Sequence, residues 1–130
     1  MSTSNSINVN GIPVSIKNGY FSLTDIAKTK VEDPRFSIRS WLRNKNTVLF
    51  LGIWEGIHNP NFKRDEFVTF SEDAGLNSFQ PTPEKFIEQL HALGIFTKRG
   101  RGGGTFAHVD IAIHFSNWLN PEFYAFFIKE

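Results

Sequence analysis

The signals that break or turn a backbone divide this chain before its composition is considered. Asn10-Gly11 and Asn18-Gly19 punctuate a loosely alternating stretch of Ile7, Val9, Ile12, Val14 and Ile16, followed by Tyr20 and Phe21. Asn-Gly between β-branched runs is the strongest short hairpin signal, because both residues accept the positive φ such a turn needs. A meander of two or three short strands is predicted there. From Ser22 onward the signals are helix caps. Ser22 with Asp25 three residues on resembles a capping box, each side chain satisfying an orphan amide, and opens a short helix over 23–29. Asp33-Pro34 supplies an N-cap and a proline at the first helical position, with Ile38, Trp41 and Leu42 as the apolar stripe of a helix over 34–44.

Asn44 to Asn46 breaks that helix. Thr47 is read as the cap of a third, with Phe50, Trp54 and Ile57 on one face and Asn59-Pro60 as its stop. Residues 61–81 carry no clear period: 67–70 reads as strand or helical turn, and 75–81 as loop. Thr82-Pro83-Glu84 starts another helix, with Phe86, Leu90 and Leu93 at helical spacing and Gly94 as the stop. Residues 95–98 and 105–107 read as two strands around a glycine-rich loop. Residues 109–119 form a helix with Ile111, Ala112, Phe115 and Leu119 inward, and Asn120-Pro121 restarts a last one. PEFYAFFIKE ends without a cap, which suggests an N-terminal domain of something longer, with residues 1–6 frayed and 7–130 as the domain.

At 130 residues the chain suffices for one domain. Its 14 Phe, 3 Trp and 2 Tyr supply large burial areas for a small core. Trp41, Trp54 and Trp118 all fall at apolar-stripe positions and read as core. No apolar run of membrane-spanning length and no signal peptide is present. The lack of Cys excludes disulfides and thiolate metal sites and fits a cytoplasmic protein.

Net charge is only +1, but the cations cluster. Lys28, Lys30, Arg35, Arg39, Arg43 and Lys45 face only Glu32 and Asp33 within their stretch, and Lys98, Arg99 and Arg101 have no nearby acid. The rest of the chain holds five cations against eleven acids, out of totals of 14 and 13. A near-neutral chain with its cations in two patches is built to meet a polyanion on one face.

The second patch is KRGRGGGTFAH, three cations and four glycines within seven residues. It is not a nucleotide loop. No Gly-Lys pair exists there for a P-loop, and Thr105 stands where the third glycine of the dinucleotide fingerprint would be. What remains is a β-hairpin whose glycines let the backbone approach a partner and whose Lys98, Arg99 and Arg101 neutralise phosphates or enter a narrow minor groove. The competing reading is a solvated turn. The first patch centres on Arg35, Arg39 and Arg43, spaced i, i+4, i+8 along one helix face. Like charges so spaced cost an isolated helix roughly 0.2–0.5 kcal/mol per pair, which a bound polyanion would offset. The competing reading is again a solvated face.

Two helices joined by a short turn, the second one basic, is helix-turn-helix arithmetic. Ser37, Ser40 and Asn44 on the reader's polar side could contact base edges or phosphates. His58, His91, His108 and His114 are scattered and make no metal site; His108 reads as a cap or a phosphate donor. No nucleophile motif is present, so no enzyme and no cofactor is expected.

YFSLTDIAK, then WLRNKNTVLFLGIWE, then RGGGTFAHVDIAIHFSNWLNPEF resembles the KilA-N domain of bacterial, phage and large-DNA-virus proteins. The resemblance implies an α+β, winged-helix-like DNA-binding module related to fungal APSES domains, with the Arg99–Thr105 loop as its wing and a regulatory role in a phage or bacterial setting. The expectation is four to six helices, no catalysis, and double-stranded DNA as partner. The residues expected at the DNA are Lys28, Lys30, Arg35, Arg39, Ser40, Arg43, Lys45, Lys98, Arg99, Arg101, Thr105 and His108. Two alternatives stand beside it. One is a single-strand binder stacking bases on Phe106 and nearby aromatics. The other is an oligomerisation module burying Phe123, Phe126 and Phe127 of the last helix against a second copy.

Overall fold

In the computed structural model, described over residues 5–30, 33–74, 76, 79–101 and 103–129, both Asn-Gly signals make the turns they predict. Asn10 and Asn18 adopt φ of 53° and 54°, and Gly11 and Gly19 follow at 85° and 81°. Strands β1 (Asn5–Val9), β2 (Ile12–Lys17) and β3 (Tyr20–Ser22) form an antiparallel meander. Asn5 and Ser6, expected to be frayed, pair with Ile16 and Ser15. The expectations that fall on residues 1–4, Glu32, Gly75 and Gly102 lie outside the described residues.

The meander is not separate from the hairpin further on. Strands β4 (Ile95–Lys98) and β5 (Gly104–Ala107) join it through β3, where Phe21 and Ser22 pair with Ala107 and Phe106. One antiparallel sheet results, in the order β1-β2-β3-β5-β4. Seven helices accompany it among the described residues: α1 (Leu23–Ala27), α2 (Pro34–Arg43), α3 (Lys45–His58), α4 (Arg64–Asp73), α5 (Pro83–Leu90), α6 (Val109–Leu119) and α7 (Pro121–Lys129). The helix beyond the expected four to six is α4, in the stretch whose period was unreadable. Lys63 at its N-cap makes no side-chain cap bond, so the usual start signal is missing.

The caps fix the helix boundaries. Ser22 Oγ accepts from the Asp25 amide at 3.0 Å. The expected reciprocal bond is replaced: Asp25 Oδ2 accepts from the Ser15 amide at 2.8 Å, tying α1 to β2 instead. Asn44, with extended backbone, ends α2 and caps α3 through the Asn46 amide at 2.9 Å, so Thr47 is not the cap. It is a buried member of the helix. The inward face of α3 is Val48, Leu51, Trp54 and Glu55, whereas Ile57 is exposed. At the end of α5, His91 in left-handed backbone (φ 53°) is the cap, leaving Leu93 exposed beyond it. Trp118 is 40% exposed and is not core. Phe123 and Phe127 of α7 are buried, so the large apolar side chains that this helix exposes among the described residues are Phe126 and Ile128.

The core lies where α6 crosses the sheet and the α1–α2 pair, with Ile111, Ala112 and Phe115 fully buried beside Leu23, Ile26, Trp41 and Ala107. Within it sits a carboxylate. Glu55 is 0% exposed and is satisfied by neutral donors: the Leu93 amide at 2.8 Å, the Gly94 amide at 2.7 Å and Asn59 Nδ2 at 2.7 Å. Asn59 Nδ2 also donates to the His91 carbonyl. These bonds fasten the end of α3 to the corner where α5 turns into β4. Tyr20 completes the corner by donating from its hydroxyl to the Leu93 carbonyl at 2.8 Å. Burial, with Glu55 adding to it, pushes the Tyr20 phenol above its ordinary range. Two glycines allow the packing: a Cβ on Gly52 would enter the Phe67 ring of α4, and one on Gly94 would meet Ile111 and Trp54.

Glu55→Ala should lower unfolding stability by about 3 kcal/mol, because it strands buried donors. Glu55→Gln should recover only part of this, since one amide oxygen replaces two acceptors. Urea denaturation checks both, and a Glu55→Ala variant as stable as the parent would refute the role given to this carboxylate.

Candidate nucleic-acid interface

Helix α2 begins where Asp33 Oδ1 accepts from the Arg35 amide at 3.1 Å and Pro34 takes the first position. Its inner face buries Ser37, Ile38, Trp41 and Leu42. Ser37, counted as an outward polar residue from sequence, belongs to the core side. Arg35, Arg39 and Arg43 are exposed, with Ser40 half-buried. The helix is anchored from beneath. Trp41 Nε1 donates to His114 Nδ1 of α6 at 3.0 Å, and the imidazole stacks on Phe50 of α3 at 4.4 Å. Burial lowers the His114 pKa from its ordinary value of 6.5, so the neutral ring that accepts from Trp41 is favoured.

The hairpin is fixed at its base. Thr24 of α1 accepts through Oγ1 from the Thr105 amide at 3.0 Å. Gly104, at φ 133°, lies so close to Thr24 that a Cβ there would collide with the hydroxyl. Both positive φ and this contact require glycine. The turn beyond it closes with a bond from the Gly103 amide to the Gly100 carbonyl at 3.0 Å, Gly100 having φ 88°.

Because α1 packs on both α2 and β5, the two basic elements share one support. They line one open groove of about 580 Å³. Lys28 from the turn after α1, Arg35 and Arg39 from α2, and Lys98 and Arg99 from the hairpin surround it. Ile38, Pro34 and Pro83 contribute apolar wall, and Thr24, Thr97, Gly104 and Thr105 the hairpin side. Five cations thus face two carboxylates, Asp33 and Glu84. Arg35 Nε lies 3.5 Å from Asp33 Oδ1, a surface pair of little strength that a stronger anion could displace. Lys28, Arg39, Lys98 and Arg99 form no ion pair among the described residues.

Six of the twelve residues singled out from sequence are therefore brought together: Lys28, Arg35, Arg39, Lys98, Arg99 and Thr105. Thr105 is 8% exposed and contributes its amide to Thr24 rather than a free side chain. The rest do not line the groove. Arg101 stands exposed at the hairpin tip, and Lys30 is exposed in the turn after α1. Arg43 ends α2 and Lys45 begins α3, where Lys45 Nζ donates to the Ser71 carbonyl at 3.3 Å. His108 sits at the opposite end of β5 from the tip. There it caps α6 by accepting from the Asp110 amide at 3.1 Å and packs on Trp54 at 5.0 Å. Sequence reasoning missed Glu84, though its place beside Thr82-Pro83 at a helix start was legible. The single-strand alternative loses Phe106 as a platform, because that ring is buried (1% exposed) with Phe96 stacked on it.

A family model for the KilA-N domain matches residues 5–130, essentially the whole chain. The chain belongs to the KilA-N family. KilA-N domains are generally DNA-binding, which agrees with the charge of the groove. No curated protein and no solved structure matches this KilA-N chain. Among the described residues, no helix is long and apolar enough to cross a membrane.

His114 gives a pH test of the α2 anchor. Its folded-state pKa lies below the unfolded value, so on acidification the unfolded chain takes up a proton that the native state resists. Stability should be full above about pH 7 and decline as pH falls through the ordinary histidine range near 6.5. His114→Gln should flatten that part of the acid limb in urea midpoints taken between about pH 7.5 and 5.5. An unchanged slope would mean that His114 is not held neutral.

Proposed function

We propose that this KilA-N domain binds double-stranded DNA as a winged-helix-type module and catalyses nothing. Helix α2 lies in or over the major groove, and the β4–β5 hairpin is the wing, following the neighbouring backbone or minor groove. The observation that carries this reading is the shared groove: Arg35 and Arg39 on the helix face Lys98 and Arg99 on the hairpin across it. Both elements rise from α1, so a duplex that engages one comes within reach of the other. Lys28 contributes from the turn between α1 and α2, while Arg43 at the end of α2 and Lys45 at the start of α3 extend the cationic track. Lys30 and Arg101 are exposed but do not line the groove.

The division of labour follows from the side chains. Arginine and lysine to phosphate fix position and orientation without reading sequence, and residues on the outward face of α2 are left to meet base edges. Three arginines at helical spacing, costly to an isolated helix, become favourable once phosphates lie between them. A regulatory role in a bacterial or phage-infected cell is part of the same proposal and rests on the family.

If the five groove cations each meet one phosphate, log K should fall with log[salt] at a slope of about −4.5. Replacing Lys98 and Arg99 together by Ala should flatten it by about two units. Both values can be read by fluorescence anisotropy on a fixed duplex. A slope that stays the same in the double variant would remove the hairpin from the interface.

A further inference from the structure

The exposed face of α2 carries a residue that charge does not explain. Phe36 is the third residue of the helix and is 64% exposed. It shares the outward face with Arg39, Ser40 and Arg43, at i, i+3, i+4 and i+7. No aromatic ring among the described residues packs on it. Phe is a poorer helix former than Leu, Arg or Lys, so helix propensity does not account for it either. Arg35 precedes it and Arg39 follows one turn later, so an apolar ring stands between two cations that flank the groove.

Resting on the duplex-binding reading above, we propose that Phe36 is a sequence-reading residue that packs on the C5-methyl group of a pyrimidine in the major groove, thymine in unmodified DNA. The first residues of a helix laid in the major groove are the ones that reach base edges. The apolar feature a base edge offers there is this methyl, and a phenyl ring is one of the side chains that meets it. Arg35 and Arg39 hold the backbone on either side, which places the ring over the bases rather than over the sugar-phosphate track. The ring surface now in water is covered only when that contact forms. 5-Methylcytosine presents the same methyl, so the chemistry is shared between two bases and the test must separate them.

The test uses the full 130-residue chain. A duplex recovered from a random pool at physiological salt is resynthesised with uracil in place of thymine, one position at a time. At the responsive position, cytosine and 5-methylcytosine are then compared in a matched pair. The expected result is a loss of roughly three- to fivefold in affinity on removing one methyl. In the cytosine pair, a methyl gain would extend the same contact to 5-methylcytosine, and equal binding would confine it to thymine, the base to which the proposal commits. Phe36→Ala should bind the thymine and uracil duplexes equally, at about the parent's uracil affinity, with its salt slope and thermal unfolding unchanged. If the parent binds both duplexes equally, or Phe36→Ala keeps the discrimination, Phe36 does not read a methyl, although duplex binding stands. If the parent binds no duplex at all, the duplex-binding reading fails and takes this one with it.

Discussion

The contact on which the arrangement depends is small: the Thr24 hydroxyl of α1 holding the amide of Thr105, with Gly104 pressed against the same side chain. A residue with a Cβ at position 104 would push strand and helix apart and would also resist the φ of 133°. This contact brings the root of a glycine-rich hairpin against the helix pair that carries the arginines. At the far end of the strand, the buried Glu55 carboxylate holds the Leu93 and Gly94 amides where the chain enters β4. The hairpin is thus held at both ends of its strands, while the loop beyond the last paired residues, Lys98 and Gly104, carries the exposed Arg99 and Arg101. A rigid root with a glycine-rich end is suited to reaching a partner without disturbing the core.

The basic helix is held with comparable care. Its inner stripe of Ile38, Trp41 and Leu42 is buried, and the Trp41–His114 bond ties it to α6. Its outer stripe carries like charges that weaken it slightly in isolation. Packing supplies the stability and leaves the outward residues free to serve a ligand. The chain's near-zero net charge conceals this asymmetry, because the groove sets five cations against two acids while cations and acids nearly balance over the whole sequence.

How much of this was legible follows from which signals are local. The Asn-Gly turns, Ser22, Asp33-Pro34 and Thr82-Pro83 act within a few residues, and the elements they bound were readable from sequence. The β3–β5 pairing was not, because nothing local marks residues about eighty positions apart as neighbours; Thr24 and Thr105 are separated by 81. Helix α4 lacked a cap to announce it. The face of α3 was misread because VLFLGIWEGI is apolar around most of its circumference, so spacing alone could not choose between Ile57 and Val48. Phe123 and Phe127 looked available to a partner, yet Phe127 meets Phe21 of the sheet at 5.5 Å. In the site, the cationic residues were legible as a set but their grouping was not. Charge runs along the chain say nothing of direction, so Arg43 and Lys45 could not be told from Arg35 and Arg39. His108 reads as a cap or a phosphate donor, and it does cap α6; a four-residue strand carries it to the end of the hairpin away from the tip, out of the groove.

The central claim is that helix α2 and the hairpin meet one duplex as a single surface. Titrating a duplex into ¹⁵N-labelled protein and following the amide resonances tests it most directly. The backbone signals of Arg35, Arg39, Lys98 and Arg99 should move together along one isotherm, while those around His58 and His108 stay still. Movement confined to one of the two elements, or centred on the His58–His108 side, would contradict it.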